Sequence, residues 1–312
     1  MNDLSAALET IDGKPVLRFE RKLAHSPTKV WRAITQPGEL AAWFPAAVET
    51  DLKPGAAMRF TFPDGAPVDE TGQGEVLEVD PPKVFAFRWN TDVLRFELVP
   101  DGDGCVLRFT QVLGGGPFGR LSAGRNAVGW DVCLAALEAH LEGREFTQPT
   151  EWPAPMEAYI HKFGLDEGSV EEAPDGYRVR FARDLVWKPL EDVWALLVDD
   201  TSPAVGDEPP ARATNAHVPA HVPAGRVTAG EPPRLLEYAT ADGHVRWEFT
   251  RDPATGTRVE LTHTAQATAD LPTVLAAWHV HLELFFAATF GEIRPWPEDR
   301  FEELRKHYAD AR

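Results

Sequence analysis

The 312-residue sequence predicts an α+β protein of two tandem domains, each a curved antiparallel sheet around one long helix near its carboxy-terminal end. Three observations carry this. The chain repeats itself at an offset near 151 residues (Gly74 to Gly225); each repeat holds a succession of alternating apolar segments separated by turn residues; and each closes on a long helical pattern.

Five blocks recur in the same order. GEVLEVDPPKVFAFRW (74–89) aligns with GRVTAGEPPRLLEYAT (225–240), matching Pro81-Pro82 with Pro232-Pro233 and Lys83 with Arg234. VLRFEL (93–98) aligns with HVRWEF (244–249), and CVLRFTQ (105–111) with TRVELTH (257–263). RFERKLAHSP (18–27) meets RFARDLVWKP (180–189), and WDVCLAALEAHLEG (130–143) meets WHVHLELFFAATFG (278–291). The second copy is abbreviated: 42 residues separate Trp31 from Gly74, and 30 separate Trp194 from Gly225. Proline and alanine dominate what remains (201–224), so no regular hairpin is expected there. The polar, turn-rich DEGSVEEAPDG reads as the linker. The expected domains are therefore 1–165 and 177–312, with 166–176 between them.

In order, VLRFERKLAH alternates as a strand, and SPTKVWRAIT reads as a short helix capped by Ser26 with Pro27 in its first turn. AMRFTF, GEVLEVD, KVFAFRW, DVLRFELV and CVLRFTQV follow as strands. Phe85/Phe87/Trp89, Leu94/Phe96/Leu98 and Leu107/Phe109/Gln111 share one face, while Arg88, Arg95, Glu97 and Arg108 share the other. A sheet with one apolar face needs a cover. Trp130, Leu134, Leu137 and Leu141 supply it as one stripe of a helix ending at Gly143. After each long helix, Trp-Pro (152–153, 296–297) precedes a shorter helical pattern. This is a helix-grip arrangement.

Composition narrows function. Thirty-one basic and 49 acidic side chains give a net charge of -18, which repels phosphate backbones and anionic membrane surfaces, so no nucleic-acid or membrane partner is expected. No apolar run approaches membrane-span length, and MNDLSAALET has no secretory character. With only Cys105 and Cys133, a reducing cytoplasm is the expected setting.

The SPxxVWxAIT opening (26–35), Trp43-Phe44 and GWDxCLxxLxxHLEG (129–143) resemble the START/Bet v 1-like superfamily, in the branch similar to the carboxy-terminal domain of Hsp90 ATPase activators. The resemblance covers nearly all of the first copy, and all but the middle of the second. It implies a cavity between sheet and long helix. The inward residues expected to line it are Trp43, Phe60, Phe62, Phe87, Trp89, Phe96, Phe109, Gln111, Trp130 and Leu134 in copy one. In copy two they are Tyr238, Trp247, His263, Trp278 and His281, the two histidines being polar exceptions able to orient a ligand or move a proton.

The expected function is non-enzymatic binding of a hydrophobic or aromatic small molecule, with no metal and no cofactor. GGGPFG (114–119) matches a dinucleotide fingerprint formally, but a strand meander lacks the required strand–turn–helix unit. Gly114, Gly115, Gly116 and Gly119 instead read as a lid over the pocket mouth. Proteins of this superfamily that protect antibiotic producers from enediynes sacrifice a glycine in such a loop, so the resemblance extends to self-resistance. It equally implies two alternatives: a co-chaperone acting on an Hsp90-type partner, and a polyketide aromatase/cyclase using His263, His281 and Tyr238. His217 and His221 lie four apart, but the prolines at 219 and 223 prevent a metal-binding helix. No nucleophile–base set is present in a recognisable motif.

Overall fold

The computed structural model describes residues 4–63, 72–174, 176–241, 243–253, 255–266 and 269–311. It divides into two compact units, one of Met1–Phe163 with Pro253–Thr255, the other of Gly164–Asp252 with Gly256–Arg312.

The first unit is an eight-stranded antiparallel sheet. Its strands are β1 (Ala7–Ile11), β2 (Lys14–Leu23), β3 (Ala47–Thr50), β4 (Ala57–Thr61), β5 (Gln73–Asp80), β6 (Val84–Trp89), β7 (Asp92–Asp101) and β8 (Gly104–Val112). The spatial order β1-β2-β8-β7-β6-β5-β4-β3 places β2 beside the last strand, β8, with Phe19 opposite Phe109. Helix α1 (Pro27–Thr35) starts as expected, with the Ser26 side chain accepting from the Lys29 amide, and α2 (Pro37–Leu40) follows directly. The long helix α3 (Ala123–Glu142) lies across the apolar face and stops at Gly143. Trp130, Leu134, Leu137 and Leu141 are all buried. The outer face of α3 is covered by α4 (Pro153–Lys162), where a Cβ on Gly124 would come within 2.8 Å of Ile160.

The second unit repeats the plan with fewer strands: β9 (Ser169–Ala173), β10 (Gly176–Asp184), β11 (Val227–Glu231), β12 (Leu235–Ala239), β13 (His244–Asp252) and β14 (Gly256–Ala265), ordered β11-β12-β13-β14-β10-β9. Helix α5 (Leu190–Val198) corresponds to α1, α6 (Leu271–Thr289) to α3 and α7 (Glu298–Asp310) to α4. Residues 201–224 form no strand, as their composition predicted; they carry a one-turn 3₁₀ helix at Ala211–Ala213. Helix α6 is apolar and long enough to cross a bilayer, yet 72% of its apolar window is buried, because β-sheet and α7 cover opposite sides.

One expectation is corrected. The segment 166–176 is not a free linker: Ser169–Ala173 pairs antiparallel with β10 as the edge strand β9. Its acidic side chains face outward, which is how exposed strand edges stay soluble.

Candidate functional site

The first domain brings its predicted aromatic residues into one network. Phe60 and Trp89, from β4 and β6, stack at 4.4 Å between ring centroids, and Phe62 stacks on the same indole at 5.7 Å. Phe96 stacks on Phe109 at 4.5 Å, and Phe109 meets Trp130 of α3 at 4.4 Å. Trp43 and Phe87 both contact Phe96. Leu134 is buried one turn further along α3. Phe44 joins the two ends, contacting Trp89 at 5.4 Å and Trp130 at 5.9 Å. Sequence reasoning used Phe44 as a family marker and left it out of the site. Its signal was the apolar pair Trp43-Phe44, of which both members turn inward. Phe62 and Trp89 are only partly covered, so the network reaches the surface at this end of the sheet.

A polar chain runs beside the rings. The Trp130 indole N–H donates to Gln111 Oε1 at 2.8 Å, and Gln111 Nε2 donates to Asp92 Oδ2 at 2.6 Å. Asp92 Oδ1 accepts the Gly114 amide at 2.7 Å, tying the glycine loop to the β6–β7 turn. Burial pushes the Asp92 carboxyl above its ordinary range, against the opposing pull of the Gly114 and Gln111 hydrogen bonds. Asp92 was missed because an aspartate at a hairpin end reads as a turn former. In the loop itself, Gly115 and Gly116 adopt left-handed φ of 79° and 63° and are exposed. A Cβ on Gly119 would lie 1.7 Å from the Gly114 carbonyl oxygen. Turn geometry and close packing thus account for these glycines.

Among the described residues, Ile34, Leu40, Phe44, Met58, Phe87 and Phe96 help enclose a void of about 10 Å³, room for one water, with an apolar lining that offers water no partner. Around this void the aromatic side chains stack closely on one another, as close-packed rings do.

The second domain differs more. Trp278 Nε1–H donates to His263 Nδ1 at 3.2 Å, reproducing the Trp130–Gln111 bond at the equivalent positions of the repeat. Tyr238 and Trp247 both donate to the Ala213 carbonyl at 3.0 Å, and His281 Nε2–H donates to the Arg212 carbonyl at 2.8 Å. Burial pushes His263 and His281 down to about 4, leaving both neutral near pH 7. The acid–base groups that an aromatase/cyclase would need are thus engaged by the protein itself. The chain between α5 and β11 occupies the space assigned to a ligand.

One cluster carries metal-binding residue types. Single donor atoms of Asp166, His279 and Glu283 lie within 4.8 Å of one another. His279 Nε2 sits 3.2 Å from both carboxylates, and its Nδ1 lies 2.8 Å from the Tyr308 hydroxyl. Arg183, fully buried, donates to the Leu165 and Asp166 carbonyls at 3.0 Å, and Arg300 donates to Glu283 at 2.9 Å. Burial opposes ionisation of both carboxyls, but His279 and the guanidinium groups outweigh it and hold both below their ordinary values. Two carboxylates facing two guanidinium groups are already balanced; a divalent ion would add uncompensated buried charge. The cluster reads as an ion-pair network fastening α6 and α7 to the start of the domain. His217 stacks on Trp296. Burial pushes both thiols up, Cys133 to about 12, so neither suits nucleophilic chemistry.

The family model described as Activator of Hsp90 ATPase homolog 1-like protein matches residues 24–142. Among solved structures, the chain is similar to a conserved protein of unknown function, EF2215, from Enterococcus faecalis: 21% identity, 52% of this chain, 92% of that one, TM-score 0.44. It is similar to MLL2253 from Mesorhizobium loti at 28% identity, 42% of this chain, 99% of that one, TM-score 0.38. It is also similar to CalU16 from Micromonospora echinospora at 18% identity, 51% of this chain, 94% of that one, TM-score 0.40. No curated protein matches the chain.

Proposed function

We propose, from the match of residues 24–142 to the family model described as Activator of Hsp90 ATPase homolog 1-like protein, that the chain is a non-enzymatic, cytoplasmic binder of a hydrophobic aromatic small molecule. The observation that carries this reading is the aromatic network of the first domain, continuous from the buried Phe109–Trp130 pair to the partly exposed Trp89 and Phe62. A planar guest enters by sliding between rings, and the stacking given up within the protein is recovered against the guest's own faces. The void beneath Phe44 gives that ring slack to move inward. The glycine loop, latched by Asp92, lies at the same end and supplies the lid. Calorimetric titration with a series of fused-ring hydrocarbons tests this. We expect one-site binding that weakens about tenfold or more in Trp89→Ala, given stacking energies of about 1 to 3 kcal/mol per ring. No binding across the series, or equal binding by the variant, overturns the assignment.

Sequestration of a natural product is the finer reading, and the exposed Gly115 and Gly116 favour a self-resistance form of it. Their Cα hydrogens have no side chain to shield them. Incubation with an activated enediyne is then expected to yield two fragments meeting near residue 115, and an intact chain dismisses that form. The family description favours a second reading, an Hsp90-type chaperone as partner. Stimulation of a purified chaperone's ATPase by this protein would support it, and an unchanged rate would remove it.

A further inference from the structure

The second domain aims three hydrogen-bond donors from three elements at one place. Tyr238 lies on β12, Trp247 on β13 and His281 on α6. Burial holds the Tyr238 phenol well above its ordinary range and the His281 imidazole down to about 4, so each keeps its donor hydrogen near neutral pH. The phenol and the indole converge on one carbonyl oxygen, that of Ala213, and the imidazole takes the carbonyl before it. Converging donors in a water-poor interior recognise a carbonyl oxygen, because each would otherwise be left unpaired. The acceptors they hold belong neither to the sheet nor to a long helix. They sit on a single 3₁₀ turn within the proline- and alanine-rich stretch.

We infer that residues 210–216 are a displaceable internal occupant of the second grip, and that Tyr238, Trp247 and His281 form a masked site for a planar aromatic ketone whose oxygen replaces the Ala213 carbonyl. The inference rests on the small-molecule-binder reading and adds to it a ligand class and a gate. Three observations make the turn displaceable. Asn215 is 1% exposed, and neither atom of its side-chain amide has a hydrogen-bond partner, so the closed state leaves polar groups unpaired that withdrawal returns to water. The apolar side chains that residues 201–224 bury fully are Ala213 and Val222, both small. The upstream end carries Asp199 and Asp200 in the left-handed region, φ 48° and 55°, a strained entry that a rearranged segment relieves. The ion pair from Arg212 to Asp199, at 2.5 Å, lies on the exposed side and is weak tethering. His217 stacked on Trp296 at 4.4 Å marks where the downstream part stays anchored. Such a site is a minor open state made dominant by its ligand.

Hydrogen exchange on the full chain tests the inference, with 2-acetylnaphthalene as probe and 2-ethylnaphthalene as the matched compound lacking the carbonyl. The reporters are the amides of Ala213 and Thr214, bonded in the closed turn to the carbonyls of Pro210 and Ala211 at 2.9 and 3.1 Å. The ketone is expected to speed their exchange about tenfold or more at saturation, while the hydrocarbon leaves them unchanged. Tyr238→Phe is expected to raise the ketone concentration needed by about tenfold, the usual penalty of a missing donor, with hydrocarbon binding unaltered. Unchanged exchange up to the ketone's solubility limit, or equal acceleration by both compounds, overturns the inference. These outcomes are separable from failure of the first-domain reading, which is seen as loss of hydrocarbon binding whatever happens at residues 210–216.

Discussion

His263 and His281 make the stability of the second domain depend on pH. Burial, reinforced by the neighbouring charges of His244 and His217, pushes both down to about 4, the His281–Arg212 hydrogen bond resisting only partly. In the unfolded chain each titrates near the ordinary 6.5. Between these values the unfolded chain takes up protons that the folded domain refuses. Stability is therefore fully present above about pH 6.5, falls progressively to about pH 4, and levels below it. The loss is about 3 kcal/mol per histidine over the whole interval. Denaturant titrations at about pH 7.5 and about pH 4.5 check this; replacing His263 by Gln is expected to remove roughly half of the difference, and an unchanged slope contradicts the assignment. Gly119 gives a test in the first domain. Its absent Cβ would collide with the Gly114 carbonyl, so Gly119→Ala is expected to cost about 1 to 3 kcal/mol and to loosen the loop that Asp92 latches. A thermal shift indistinguishable from wild type would sink that prediction.

Among the elements, the network around Arg183 shows what a short sequence window conceals. Arg183 on β10 falls on the same face as the buried Val179 and Phe181, where it is 3% exposed and holds the Leu165 and Asp166 carbonyls, a role no residue type announces. Removing it strands two carbonyls and takes a buried positive charge from beside Asp166. Arg183→Ala is therefore expected to destabilise the second domain by about 3 to 5 kcal/mol, measured by denaturant unfolding; a loss under about 1 kcal/mol contradicts the network. The long helices were legible because Trp130, Leu134, Leu137 and Leu141 fall on one stripe, and the central strands because Phe85, Phe87, Leu94, Phe96, Leu107 and Phe109 alternate with charges. Edge strands were not. Residues 7–11 and 169–173 pair on one side only, so their mostly exposed side chains carry no alternation to read. The aromatic set of the first domain was legible for the same reason as the strands. That the rings close on one another was not, since inward direction says nothing of how tightly inward groups meet. The segment 201–224 was legible as non-strand, but its placement across Tyr238, Trp247 and His281 follows from backbone carbonyls, which every sequence shares.

Taken whole, the molecule is one plan used twice with different fillings. Both domains keep the indole bond from the long helix to the last strand, Trp130 to Gln111 and Trp278 to His263. They differ in what lies beneath the helix: aromatic side chains reaching the surface in the first, the protein's own backbone turn in the second. The proposed function accordingly predicts that a carbonyl-free aromatic binds in the first domain. The most direct measurement follows the indole N–H resonances of the full chain during titration with a fused-ring hydrocarbon. Trp89 and Trp130 are expected to shift along one saturating curve, while Trp247 and Trp278 stay in place. A silent Trp89, or an equal response from all four indoles, would contradict the account.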